Sequence, residues 1–138
     1  MMSRAGSTQE KKAPARAIAT TTAALYVCVQ QGKQMTSLAA ERAETEGRAY
    51  ARAHGLAISE VIKDPYGEPA PSRRVGWTRI RELVESGTIG VVITRWPAAI
   101  APDAFHEARH REVRWLQDHR VQVHYSWAPL AATRGEAV

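Results

Sequence analysis

Hydrophobic residues form two short runs in this chain, at residues 23–30 and 88–94, each followed by polar residues. Neither run alternates with polar positions, which indicates strands that are buried on both faces of a sheet. Two further strands are predicted at residues 56–62 and 121–127, and the alternating pattern of the last is typical of an edge strand. The two apolar runs are therefore expected at the centre of the sheet, in the strand order 2-1-3-4.

Helical periodicity separates these strands. The first helix is predicted to begin near Ser37, with Glu41 close to capping-box spacing, and to end before Gly55. A second helix begins near Gly76 and is predicted to end at Ser86 and Gly87, and a third spans residues 103–119. The alternation predicts an α/β domain of about four mainly parallel strands with helices on both faces. Residues expected to face the core are Trp77, Ile80, Leu83 and Val84 of the second helix and Phe105, Val113 and Leu116 of the third.

The polarity of the remaining segments sets the domain limits. Residues 1–22 lack periodic apolar positions and are predicted to be a disordered leader, and residues 128–138 a flexible tail. The domain therefore covers residues 23–127. Within it, residues 64–72 form a proline-rich loop beside the carboxyl edge of the sheet, where loops are often functional.

Composition changes this picture only modestly. The 138 residues have no apolar stretch long enough for a membrane span and no signal-like segment, so we expect a cytoplasmic protein. The single cysteine, Cys28, excludes an internal disulfide and is interpreted as a packing residue. A net charge of +5, mostly from arginine, is compatible with nucleic-acid contact but is equally typical of a solvated surface.

Four segments of the chain are informative together: residues 26–30 (YVCVQ), 37–42 (SLAAER), 74–76 (RVG) and 96–101 (WPAAIA). They resemble the patterns Tyr-x-Arg-Val-Ser, Ser-Leu-x-x-Gln-Arg, Arg-Pro-Gly and Leu-Asp-Arg-Leu-x-Arg. These patterns belong to one family, the serine recombinases of the resolvase/invertase type. The segments keep the order and spacing of the family. The resemblance implies a resolvase-like catalytic domain over residues 23–127.

The resemblance also implies a mechanism whose residues are mostly replaced here. In the family, a serine at the end of the first strand attacks a DNA phosphodiester, and arginines stabilise the charge that develops on the phosphate. Gln30 stands at the serine position, and Arg74, the arginine that closes the family's mobile loop, is retained. Ser37 offers a hydroxyl near this position and Lys33 a positive charge, but the sequence shows no general base beside Ser37. The remaining degenerate positions of the family site are Cys28, Glu41, Pro97, Ala98 and Ala101.

A second motif points to different chemistry. His106, Glu107 and His110 match the His-Glu-x-x-His pattern, which on a helix places both imidazoles on one face, as zinc requires. Glu107 would then act as general base. The sequence shows no third ligand at a known spacing, and Arg109 and Arg111 place positive charge beside the site. A solvated helix face with a Glu107–Arg111 ion pair is the alternative interpretation.

Three hypotheses of function follow. The first is a catalytically degenerate recombinase domain that binds a recombinase or a second copy of itself, needs no cofactor and performs no strand exchange. The second is a small metal-dependent hydrolase that uses His106, Glu107 and His110. The third is nonspecific DNA binding, for which the predicted phosphate contacts are Arg73, Arg74 and Arg95.

Overall fold

The two apolar runs of the sequence lie at the centre of a parallel sheet. The computed structural model describes residues 20–29 and 38–130. Within these residues the strands are β1 (Thr21–Val27), β2 (Leu56–Lys63), β3 (Val91–Thr94) and β4 (Gln122–Tyr125). They pair in the order β2-β1-β3-β4, and each neighbouring pair is parallel. The predicted α/β class and strand order are thus confirmed, with β1 and β3 central.

Helices connect the strands and cover both faces of the sheet. The described helices are α1 (Leu38–Ala53), α2 (Val75–Glu85), the single turn α3 (Pro97–Ile100) and α4 (His106–Asp118). The first two end where glycine was expected to stop them. Gly55 and Gly87 adopt φ values of 68° and 74°, which residues with a side chain rarely adopt.

The side chains of β1 alternate between two hydrophobic cores. On one face, Leu25 and Val27 pack with α1 residues such as Ala43, Tyr50 and Ala51. The mostly small residues on that face of α1 allow it to lie close to the sheet. The other face packs against α2 and α4, and Trp77, interpreted from the sequence as a core anchor, is fully buried there. The main members of this second core are Ala24, Tyr26, Cys28, Trp77, Ile80, Leu83, Val84, Val92, Ile100 and Leu116.

Two strand boundaries differ from the sequence prediction for local reasons. β1 begins at Thr21 rather than residue 23, because Thr21 and Thr22 pair with Leu56 and Ala57 at the start of β2. β3 begins at Val91 rather than residue 88. The Thr88 amide and hydroxyl instead donate to the carbonyl oxygen of Leu83, which satisfies the end of α2.

The predicted third helix was wrong at its beginning. Asp103–Phe105 forms a 3-10 turn, and α4 starts at His106. Because this turn interrupts the helical period, Phe105 is 44% exposed rather than inward, whereas Leu116 is buried as expected. The helical turn α3 was not predicted at all. Pro97 occupies its first position, where the fixed φ of proline suits a helix.

Some predictions concern residues outside the described ranges. These are most of the leader, residues 1–19, the segment 30–37 after β1, and residues 131–138 of the tail. Residues 128–130 are helical. No helix in the described part of the chain is both long and apolar enough to cross a membrane.

Candidate functional site

The candidate site lies at the carboxyl edge of β1, where ligands bind in open parallel sheets. Cys28 and Val29 continue from the strand and are 4% and 6% exposed. Gln30, which stands at the nucleophile position of the family pattern, lies outside the described residues, as do Lys33 and Ser37. The structure therefore shows the residues around the carboxyl end of β1 but not the position of Gln30.

Asp64 accepts three hydrogen bonds on the β2 side of the site. It directly follows β2 and is 8% exposed. One carboxylate oxygen accepts the amide of Gly76 at 2.7 Å, and the other accepts the amide of Trp77 at 2.9 Å and the hydroxyl of Tyr26 at 2.7 Å. Because Arg74, the residue preceding α2, makes no capping bond with its side chain, Asp64 serves as the N-cap of this helix from a distance.

Gly76 allows this close approach. A Cβ atom at this position would lie 2.7 Å from the carboxylate of Asp64, too close for any side chain. Glycine therefore lets the first turn of α2 meet the carboxylate directly, in addition to leaving two backbone amides free to donate to it.

Arg74 is buried, and two of its three guanidinium nitrogens donate to protein acceptors. Its Nε donates to the carbonyl oxygen of Glu68 at 2.8 Å, and its Nη1 donates to Ala99 at 2.7 Å and to the Tyr26 hydroxyl at 3.1 Å. The hydroxyl of Tyr26 thus accepts from the guanidinium and donates to Asp64, so it joins the two buried charges. Arg74, 6% exposed, ties the loop after β2 to α3.

Burial controls the ionisation of the two other groups in this cluster. It raises the pKa of Tyr26 far above its ordinary value, the bond to Asp64 adds to the rise, and Arg74 opposes it. Burial also raises the pKa of Cys28, again against the effect of the Arg74 guanidinium. The Cys28 thiol lies 3.9 Å from the carbonyl oxygen of Pro65. A protonated, buried thiol is a packing group and not a nucleophile.

The raised pKa of Tyr26 predicts a loss of stability in alkali. Above about pH 10, the ordinary pKa of tyrosine, the unfolded chain loses this proton while the folded chain keeps it. The unfolded state then binds fewer protons, so the free energy of unfolding falls as pH rises. Urea unfolding at about pH 8 and about pH 11 should show a smaller decline for Tyr26→Phe than for the wild type. Equal declines would contradict the assignment to Tyr26.

The other degenerate family positions are divided between the two faces of the sheet. Ala98 is exposed and, with Arg74 and Pro102, lines a cavity of about 110 Å³. Ala101 is fully buried. Glu41 is exposed on α1, which packs on the opposite face. The structure thus brings Cys28, Arg74 and Ala98 to one edge, joined by Tyr26 and Asp64, and leaves Glu41 outside this cluster.

The three predicted phosphate contacts have different environments. Arg73 is exposed and makes no ion pair within residues 20–29 and 38–130. Arg74 is buried, as described above. The Nε of Arg95 lies 3.4 Å from a carboxylate oxygen of Glu46, without the alignment of a hydrogen bond, and its guanidinium stacks over Trp96 at 4.6 Å. Only Arg73 presents an unengaged guanidinium.

The His-Glu-x-x-His motif lies on the solvent side of α4. The rings of His106 and His110 are 5.9 Å apart between centroids, so they share a helix face, and both are exposed. In the part of the chain that the structure describes, no three His, Cys, Asp or Glu side chains are grouped to hold a metal ion. The expected pair between Glu107 and Arg111 is not formed there. Arg109 instead pairs with Asp103 at 2.7 Å.

We expect zinc not to copurify in stoichiometric amount with the untagged protein, because two exposed imidazoles leave a tetrahedral ion short of ligands. A chelator should leave the melting temperature unchanged. Elemental analysis of the wild type and His106→Ala tests this expectation. One zinc ion per chain, lost in the variant, would instead support the hydrolase hypothesis.

The sequence did not reveal the roles of Asp64 and Tyr26. One signal was available: α2 begins after Arg74 without a local capping residue, and Asp64 follows a strand that ends at the same edge. Tyr26 stands out as the one residue with a hydroxyl group among residues 23–29. A buried tyrosine hydroxyl needs a hydrogen-bond partner.

The fold defined by this sheet, its helices and its carboxyl-edge loop is that of the serine recombinase catalytic domain. The chain is similar to the C-terminal catalytic domain of ISC1926 TnpA, an IS607-like serine recombinase. The TM-score is 0.65 at 21% identity, over 75% of this chain and 68% of the other. It is also similar to a resolvase family site-specific recombinase from Streptococcus pneumoniae, with a TM-score of 0.63 at 19% identity over 78% and 72% of the chains.

A third similar structure is the N-terminal catalytic domain of TP901-1 integrase, with a TM-score of 0.62 at 16% identity over 74% of each chain. No family model and no curated protein sequence matches the chain. The family resemblance seen in the sequence is therefore confirmed at the level of the fold.

Proposed function

We propose that this chain is a recombinase-like domain that has lost strand-exchange chemistry and acts as a binding or regulatory module in DNA recombination. The sequence supports this proposal at the reacting centre. An amide, Gln30, replaces the nucleophilic hydroxyl, and Cys28, Ala98 and Ala101 replace family arginines. An amide is not a nucleophile for phosphoryl transfer, so the chain lacks the group that would hold a broken DNA end.

The observation that best supports the proposal is the environment of Arg74, the retained arginine of the mobile loop. Transition-state stabilisation needs donors that point at the developing charge. Here Nε and Nη1 of Arg74 donate to two carbonyl oxygens and to the Tyr26 hydroxyl. Two nitrogens of Arg74 are thus used within the fold, which leaves Nη2 for a phosphate, and the family arginines are replaced at Cys28, Ala98 and Ala101.

The remaining activity in this proposal is association. The structurally similar proteins are named as recombinases, an integrase and a transposon TnpA, so a recombinase or a second copy of this chain is the proposed partner. A cytoplasmic location accords with such a role. The net charge of +5 and the exposed guanidinium of Arg73 support weak DNA binding as an additional property.

One experiment separates binding from chemistry. The full chain is incubated with supercoiled plasmid, and covalent protein–DNA adducts and nicked or relaxed plasmid are measured. Fluorescence anisotropy with a labelled duplex is recorded in parallel over a salt series. We expect no adduct and weak, salt-dependent binding that Arg73→Ala reduces. A covalent adduct formed by the wild type would overturn the proposal, because another residue would then supply the nucleophile.

A further inference from the structure

The edge strand β2 has an uncommon combination of length and composition. It is eight residues long, and its outer side pairs with no other strand in the described part of the chain. Its first half, residues 56–59, contains no charged residue and no proline. Natural edge strands are usually protected by such residues, because an unprotected edge can accept another strand. Within the described residues, no charged side chain or proline therefore opposes strand addition along residues 56–58, and the irregularity in the pairing with β1 begins only at Ser59.

A groove runs beside this open edge. It has a volume of about 170 Å³ and lies between α1 and β2. Its apolar floor consists of Ala51, Leu56 and Ile58, and its rim of Arg48 and Arg52. Leu56 and Ile58 pack against the α1-side core but remain partly exposed. A peptide strand that paired with β2 would place every second side chain over these two residues.

The charge around the groove is positive. Glu44 pairs with Arg48 and with Lys63, in each case at 2.9 Å, so one carboxylate serves two cations. Arg52 is exposed and makes no ion pair within residues 20–29 and 38–130. The groove side of β2 thus presents three cations and one carboxylate.

The carboxylate of Glu60 does not alter this balance. The irregularity in the pairing of β1 with β2, between Ala23 and Ala24, changes the side to which the residues after Ile58 point. Glu60 consequently faces away from the groove and pairs with Arg79 of α2 at 3.0 Å. In a second copy of this chain, the carboxylate on the groove side of β2 is that of Glu44 on α1, which already pairs with Arg48 and Lys63. A negatively charged partner fits the site better.

We propose that the edge of β2 binds an extended acidic segment of a partner protein by strand addition. In this arrangement, main-chain hydrogen bonds form along residues 56–59, apolar side chains of the segment cover Leu56 and Ile58, and an acidic side chain reaches Arg52. The inference is independent of the proposed loss of strand-exchange chemistry, because it concerns the edge of the sheet and not the carboxyl ends of its strands.

The test uses a labelled eight-residue peptide of alternating valine and glutamate, with a valine–lysine peptide as its charge control. Fluorescence anisotropy measures affinity, and amide hydrogen exchange followed by NMR locates the bound segment. We expect the acidic peptide alone to bind and to slow exchange in residues 56–59. Arg52→Glu should weaken binding about tenfold, as reversal of a charge at an interface commonly does.

Arg42→Glu is the matched control, because it makes the same charge change at an exposed position of α1 outside the groove. It should leave affinity within about twofold. Equal weakening by both variants would overturn the proposal in favour of general charge attraction. Binding of the lysine peptide, or protection confined to another strand, would also overturn it. So would a dimer in sedimentation analysis that the peptide dissociates, since a second copy would then be the occupant of the edge.

Discussion

Replacement of Asp64 by alanine is expected to lower the free energy of unfolding by about 3–5 kcal/mol. The substitution removes an N-cap, which commonly contributes about 1 kcal/mol. It also deprives the buried Tyr26 hydroxyl and the amides of Gly76 and Trp77 of their acceptor. Each buried donor left without an acceptor costs about 1–3 kcal/mol, so these losses account for most of the effect.

Urea unfolding followed by tryptophan fluorescence measures this effect. Asp103→Ala is the matched control, because it removes a carboxylate that pairs with Arg109 but is 97% exposed. Its effect should stay within about 0.5 kcal/mol. Tyr26→Phe, which removes the linking hydroxyl alone, should cost about 1 kcal/mol. If Asp64→Ala were no more destabilising than Asp103→Ala, the cluster would not stabilise the fold as described.

If Asp64→Ala fails to fold at all, Asp64→Asn provides a graded substitute. The amide keeps one oxygen acceptor but loses the charge and places an N–H group beside the backbone donors. A double-mutant cycle of Tyr26→Phe with Asp64→Asn should then be non-additive, because both changes break the same hydrogen bond.

Much of the fold was predictable because burial on both faces leaves a clear pattern in the sequence. The runs at residues 23–30 and 88–94 contain no alternation, and the structure places the strands within them at the centre of the sheet. The ends of α1 and α2 were predictable from Gly55 and Gly87 for an equally local reason, their positive φ. Such features depend on single residues or on short periods, so they can be recognised without knowledge of contacts.

The features that were missed depend on contacts between distant residues or on a break in periodicity. Asp64 caps a helix that begins eleven residues later, so no local capping motif is present in the sequence. Phe105 fits the period of α4 if the helix is continued backwards. Phe105 is exposed instead, because a 3-10 turn precedes the helix. The turn α3 is too short for any periodicity to indicate it.

The residues of the candidate site were predictable, but their hydrogen-bond partners were not. The resemblance placed Cys28, Arg74 and Ala98 at one edge, and the structure brings them together. It gave no reason to expect that the donors of Arg74 are used by Glu68, Ala99 and Tyr26. Carbonyl acceptors belong to the backbone and are set by the loop conformation, so no residue type signals them.

Restoring the hydroxyl at the end of β1 is expected not to restore strand cleavage. Gln30→Ser returns a nucleophile, but the arginines that the family pattern places near it remain absent at Cys28, Ala98 and Ala101. Each donor of this kind typically contributes about two to three orders of magnitude in rate. Three missing donors therefore predict a rate at least about six orders below that of a complete site, even if each contributes at the low end of this range.

Local residues add to this deficit. Arg74 already donates through Nε and Nη1 to protein acceptors, so only Nη2 remains to donate to a phosphate. Pro97 fixes its own φ and holds Trp96 in an extended conformation, which restricts the turn where the family pattern has an aspartate and arginines.

The measurement compares wild type, Gln30→Ser and Gln30→Ala on supercoiled plasmid, with denaturing gels that detect protein joined to DNA ends. All three should give no adduct above background, and Gln30→Ala controls for any effect of removing the amide. An adduct specific to Gln30→Ser would mean that charge for the phosphate is supplied by residues other than the missing family arginines, with the exposed Arg73 the first candidate. An adduct with Gln30→Ala as well would place the nucleophile elsewhere in the chain. The first outcome would contradict the prediction that the missing arginines prevent cleavage. The second, if the wild type also formed the adduct, would overturn the proposed loss of strand-exchange chemistry.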